Sequence, residues 1–249
     1  MKNFLIALQF LTRIRLVKQK EWTDKDFSMS VPWFPLVGAV IGLVLFLLAT
    51  VLSVCDPLLK AVILLAAELL IVGITLTDGL MDTADGVFSG RERERILEIM
   101  KDSHVGANGV VAFVMIALLK VAFYQALPDG LLLCALFVMP VVGKLTIVVA
   151  ITNFPSARAQ GIGKLFTRYT EKKYAYRAAI LTALLIIPAF SWFIAAAAVA
   201  AGLFGWLLAR HLNNILGGLT GDTYGFIGEF SGVFFLGFVY CFSQLRWPI

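Results

Sequence analysis

Seven stretches of this chain are apolar for long enough to cross a lipid bilayer: 33–54, 59–80, 105–127, 131–153, 175–189, 191–209 and 226–244. A spanning helix needs about 20 mostly apolar residues. In hydrocarbon every backbone N–H and C=O must be paired within the protein, which leaves helices as the state for runs of this length. Hydrophobic residues make up 60% of the chain and charged ones 15%, against roughly 45–50% and about 25% in a soluble domain. Little is left over for a separate soluble unit. The expected fold is therefore all-α and a single domain over 1–249: a polytopic integral membrane helical bundle with six to seven transmembrane helices. The count turns on Pro188 and Ser191, the one break in the long apolar stretch from 175 to 209.

Lysine and arginine alternate with the spans. Segment 1–32 holds Lys2, Arg13, Arg15, Lys18, Lys20 and Lys25; loop 81–104 holds Arg91, Arg93, Arg95 and Lys101. Loop 154–174 holds Arg158, Lys164, Arg168, Lys172 and Lys173, loop 210–225 holds Arg210, and the connections near 55–58, 128–130 and 190 hold none. The positive-inside rule places the N-terminus and every basic loop in the cytoplasm. The net charge of +5 is thus a matter of topology and gives no reason to expect nucleic acid. Residues 1–11 have the charge and length of a signal peptide but no small-x-small cleavage site, and run into Thr12-Arg13-Ile14-Arg15. They read as a retained amphipathic helix at the interface. Cys55, Cys134 and Cys241 are far apart and read as structural thiols. Gly38-xxx-Gly42 reads as a close helix contact.

Chemistry is concentrated where the second apolar run ends. Asp78-Gly79 is followed by Asp82-Thr83-Ala84-Asp85-Gly86. On a helix, positions i, i+4 and i+7 fall within a narrow arc of one face. Three carboxylates so placed repel each other unless a cation lies between them, and crowded oxygen ligands suit a hard ion such as Mg²⁺. Charges at a membrane segment are costly and usually functional. A second acidic pair, Glu98-xxx-Asp102, sits on an adjacent amphipathic stretch.

The two halves together resemble the D-xx-DG and D-xxx-D pattern of the CDP-alcohol phosphotransferases. The spacing between them is shorter, Glu98 stands for an Asp, and the alanine-arginine step appears only as Ser89-Gly90-Arg91. A fuller resemblance is to the cobalamin synthase family, the adenosylcobinamide-GDP ribazoletransferases. It is carried by 8–13, 33–38, 78–90, 95–103, Ala157-Arg158 with Gly161-Ile162-Gly163-Lys164, and 217–222. The chain departs from that pattern at Leu76, where a histidine is usual, at His104, where an arginine is usual, and at Lys144, which takes an arginine's place.

This resemblance implies a transfer of a phosphorus-containing group at the membrane. The 3′-hydroxyl of α-ribazole, or of its 5′-phosphate, attacks the cobinamide-linked phosphate of adenosylcobinamide-GDP, and GMP leaves. Asp78, Asp82, Asp85, Glu98 and Asp102 are the expected Mg²⁺ ligands, with Asp85 and Asp102 as catalytic residues and Asp102 as the base. Arg158 and Lys164 flank Gly161-x-Gly163, where loop glycines let backbone N–H groups approach phosphate. With Arg13, Lys101 and Lys144 they are the expected cations for the anionic substrates, and Thr220 and Asp222 the expected contacts in the glycine-rich loop. Neither His104 nor His211 is expected as a ligand. A CDP-alcohol-type phospholipid enzyme and an ion carrier are the competing readings; a homo-oligomer is compatible with all three.

Overall fold

The computed structural model describes residues 2–17, 23–186 and 192–245. Its elements are α1 (Lys2–Leu11), α2 (Asp24–Ser30), α3 (Phe34–Val51), α4 (Pro57–Val72), α5 (Ile74–Val87), α6 (Arg93–Ile99), α7 (Ala107–Ala126), α8 (Asp129–Asn153), α9 (Ile162–Arg168), α10 (Lys173–Ile186), α11 (Trp192–Leu216) and α12 (Gly221–Gln244). Five helical bodies among the described residues are long and apolar enough to cross a membrane: Asp24–Val54, α7, α8, α11 and α12. The bent pair α4 and α5 makes a sixth if taken as one span. The all-α membrane class read from hydropathy holds. The span 175–189 is described as a helix only to Ile186, and the break expected at Pro188 and Ser191 lies outside the described residues.

The run 59–80 is not one helix. Gly73 has φ +77°, a left-handed conformation that glycine alone adopts freely. Its N–H closes α4 on the Leu69 carbonyl at 2.9 Å, and the helix axis then turns by 96°. Hydropathy continues through this point, so an apolar count passes over it. The turn sends α5 away from α4's line and packs it against α7 and α12.

At the centre stands α8, which touches α3, α10, α11 and α12. Against it α3 packs almost backbone to backbone. A β-carbon at Gly38 would lie 2.7 Å from Val141 Cα, and one at Gly42 would lie 2.8 Å from Phe137 Cα. The small-xxx-small pair is thus a helix contact. The outward faces carry large apolar side chains such as Leu43 and Leu47 on α3 and Val111 and Leu118 on α7, as a lipid-facing surface must.

Inside the bundle lies a cluster of charges. Lys120, only 4% exposed, donates to Glu68 at 2.8 Å and to Glu229 at 2.7 Å. The Tyr124 hydroxyl donates to Glu68 at 3.0 Å. These bonds join α4, α7 and α12. Buried charges persist where they are paired and hydrogen-bonded, and here each partner neutralises another. Lys144 of α8 lines the same small cavity of about 10 Å³, room for about one water.

Candidate active site

Asp78, Asp82 and Asp85 all lie on α5, as their spacing predicts. What the spacing does not foretell is which helix meets them. Gly79 sits where α5 crosses the start of α12, and a β-carbon there would lie 2.7 Å from the Asp222 carbonyl oxygen and 2.8 Å from its Cα. This approach brings Asp222 alongside the acidic helix. Asp82 lies within electrostatic reach of Asp78, Asp222 and Asp85, and of the Arg158 guanidinium.

The basic loops converge at the same place. Residues 155–157 and Leu219 form a short parallel bridge, with Ala157 N–H donating to the Leu219 carbonyl and Leu219 N–H to the Pro155 carbonyl, both at 2.8 Å. Arg93 Nε donates to the Leu216 carbonyl at 2.7 Å, which ties α6 to the end of α11. Thr220 caps α12 through a reciprocal pair with Thr223. Its hydroxyl also donates to Asp222 at 3.2 Å. From the bridge, Arg158 reaches across: Nη1 donates to Asp222 at 3.1 Å, and Nη2 makes long contacts of 3.4 Å to the Leu97 and Met100 carbonyls. Its Nε is buried and without a partner.

Arg158, Thr220 and Asp222 line a cavity of about 280 Å³ together with Ser156 and Gln160. Much of the remaining wall is apolar. Phe10, Phe34 and Phe166 contribute to it, held edge to face in a cluster with Phe27 at centroid distances of 5.1 to 6.1 Å. Ser28 fixes α9 to α2 by donating to the Leu165 carbonyl at 2.7 Å. A second, more polar cleft of about 540 Å³ is lined by Gln9, Thr12, Arg13 and Arg15. Phe10 and Thr75 line both spaces, so the two adjoin.

The remaining expected residues are placed differently. Asp85 is buried and accepts the Gly106 and Gly109 N–H groups, each at 2.8 Å. It caps the N-terminus of α7 from a neighbouring helix, and those two glycines leave the room it occupies. Glu98 is exposed and paired with Arg95 at 2.8 Å. Asp102 is exposed on the turn into α7, and hydrogen bonds from the His104 backbone and ring hold its carboxyl below the usual range. Glu98 and Asp102 are thus paired with Arg95 and His104 respectively. Lys101 and Lys164 are exposed. Lys144 is buried and lines the small cavity with Glu68, Lys120 and Glu229, apart from the cavity beside Arg158. Among the described residues, no three carboxylate, histidine or cysteine side chains form a ready metal shell. Asp78 and Asp82, with Asp222 nearby, remain a donor set for an ion that takes its other ligands from water and phosphate.

Sequence reasoning overlooked Ser156, Gln160, Tyr224 and the phenylalanines of the cavity. It also overlooked Glu68, Lys120 and Glu229, although single charges within apolar runs are a usable signal.

The cobalamin-5-phosphate synthase family model matches residues 3–240. The chain is 40% identical over 243 residues to the adenosylcobinamide-GDP ribazoletransferase of Desulfitobacterium hafniense (strain Y51), covering 95% of each chain. It is 37% identical over 255 residues to that of Desulforamulus reducens, covering 97% of each. With that of Clostridioides difficile (strain 630) it shares 32% identity over 252 residues, 96% of this chain and 97% of the relative. No solved structure matches significantly. With an acidic helix set against an arginine-lined cavity, and a match running almost from end to end, this chain belongs to the cobalamin-5-phosphate synthase family.

Proposed function

We propose that this chain is an adenosylcobinamide-GDP ribazoletransferase of the bacterial inner membrane, working at its cytoplasmic face. The observation that carries the reading is the Arg158–Asp222 pair at the wall of a cavity, beside Asp78 and Asp82 on α5. Transfer of a phosphorus-containing group needs positioning and electrostatic stabilisation more than covalent help. The donor set suits Mg²⁺, which is usually held by one or two carboxylates plus substrate phosphate and water. Asp78 and Asp82 would hold it, and it would offset charge on the diphosphate.

The chain's own residues do the rest. Arg158 lines the cavity and receives a phosphate oxygen while Nη1 keeps Asp222 in place. Asp222 lines the cavity and, in place of the Asp102 expected from the resemblance, which is held by His104 on an exposed turn, takes the proton of the 3′-hydroxyl. The hydroxyl oxygen bonds to the cobinamide-linked phosphorus, the bond from that phosphorus to the bridging oxygen breaks, and GMP departs with it. Arg13 and Arg15 in the adjoining cleft attract the anionic donor. The basic loops that meet here by hydrogen bond are the ones the positive-inside rule assigns to the cytoplasm.

The test is an assay in detergent with adenosylcobinamide-GDP, α-ribazole and Mg²⁺, following GMP with and without EDTA. GMP release with formation of the joined product, lost with EDTA and restored by Mg²⁺, is the expected result. Folded protein that yields no GMP would overturn the assignment, and undiminished activity in EDTA would overturn the metal.

A further inference from the structure

Tyr224 is 3% exposed and lines the 280 Å³ cavity, and its hydroxyl is buried without any hydrogen-bond partner. A buried polar group left unpaired is expensive, and native proteins rarely keep one without a use. Around it the wall is aromatic and aliphatic: Phe10, Phe34, Phe166, Leu76 and Ile147. The cavity thus has an apolar, largely aromatic part of its lining and one buried O–H without a partner. Its polar groups are Arg158, Thr220 and Asp222 with their neighbours.

Taking the transferase reading as given, we propose that this chamber is the seat of the acceptor's aromatic base and that Tyr224 selects it. Three chemical groups compete for the space. The corrin macrocycle is far too large, since 280 Å³ is at the lower limit of sites for small ligands, roughly 300–1,000 Å³. Guanine presents polar atoms around most of its edge, and the phenylalanines, Leu76 and Ile147 of this wall offer them no partner. A benzimidazole nucleoside fits on both counts. Its bicyclic ring is flat and apolar, and once one nitrogen is bonded to ribose a single ring nitrogen remains as an acceptor. The Tyr224 O–H donates to that nitrogen. With the ring against the phenylalanines, the ribose lies among the polar groups, and its 3′-hydroxyl comes to Asp222.

Tyr224→Phe removes only the oxygen, which has no protein partner to lose, so the fold is kept. The experiment measures KM for α-ribazole, KM for adenosylcobinamide-GDP and inhibition by GMP. The acceptors are α-ribazole and the α-riboside of dimethylindole, which lacks the free ring nitrogen. Wild-type protein should prefer α-ribazole about tenfold, the worth of one hydrogen bond. Y224F should raise KM for α-ribazole about tenfold, leave the indole analogue unchanged and so erase the preference, with no change in KM for the corrinoid donor or in GMP inhibition. Equal losses on both acceptors, or weaker GMP inhibition, would overturn the assignment of the chamber. Calorimetric titration of α-ribazole alone into the solubilised protein reads the same site without turnover. Binding that Y224F weakens supports the chamber even if wild-type protein releases no GMP, a result that would instead count against the transferase reading. Equal binding by both proteins overturns the role of Tyr224.

Discussion

Arg158 and Asp222, 64 residues apart, meet at 3.1 Å where the loop after α8 crosses the start of α12. The pair is half-buried, so it is screened less than a surface ion pair, and its guanidinium fork also spans the Leu97 and Met100 carbonyls. An ammonium group cannot satisfy that geometry. Arg158→Lys should therefore lower the rate of GMP release about 100-fold, the scale seen for loss of one preorganised donor, with membrane expression retained. A single-turnover measurement decides it. Ser53→Ala, exposed and far from every motif, serves as the silent control.

Asp82 and Asp85 should part company. Asp82→Asn leaves the helix contacts intact and removes a charge from the acidic cluster, so activity should vanish while the thermal midpoint stays. Asp85→Asn weakens the cap on α7, whose two bonds are charge-assisted. It should cost about 1.5–3 kcal/mol and lower the melting temperature. If D85N melted like wild type and were inactive, the carboxylate would be a ligand or catalyst in its own right.

Gly79→Ala should move α5 off α12. The new β-carbon would stand 2.7 Å from the Asp222 carbonyl oxygen, a backbone atom that cannot swing aside. Overpacking of this kind costs about 1–3 kcal/mol. GMP release should fall even where the protein remains folded. Normal activity in G79A would mean that the juxtaposition of α5 and Asp222 is unimportant.

Lys120→Met should be among the most damaging changes outside the cavity. It strands Glu68 and Glu229 without their shared cation, and breaking a buried pair from one side costs about 3–5 kcal/mol. Denaturant unfolding in detergent measures the loss. Adding Glu68→Gln to K120M should recover part of it, because one of the stranded charges is then gone; purely additive losses would argue that the cluster is not energetically coupled.

The all-α membrane class and the meeting of the basic loops were legible because hydropathy and charge alternation act over long windows. Asp78 and Asp82 were legible from helical spacing, and Arg158, Thr220 and Asp222 from the loops beside glycines. Other features depend on contacts that one-dimensional spacing does not encode. Asp85 fits the acidic pattern as well as Asp82 does, but the N-terminus of α7 engages its carboxylate. Glu98 and Asp102 share a helical face on paper, yet each is taken by its own neighbour, Arg95 or His104. The turn at Gly73 interrupts no apolar run, so only the backbone reveals it. Phe10, Phe34 and Phe166 are three of 20 phenylalanines, and nothing in their spacing marks them as one wall.

The cavity beside Arg158 draws its lining from Phe10 at one extreme of the chain and Tyr224 at the other. Such a site has no partial form during synthesis. The acidic face of α5 is made well before Arg158, and Asp222 comes only with the last helix. A nascent chain is therefore inert until α12 has entered the bilayer, and a truncation before residue 220 leaves Arg158 without its carboxylate partner. Activity in this fold reports that the whole chain has been inserted, which makes GMP release a sensitive reporter of complete membrane assembly.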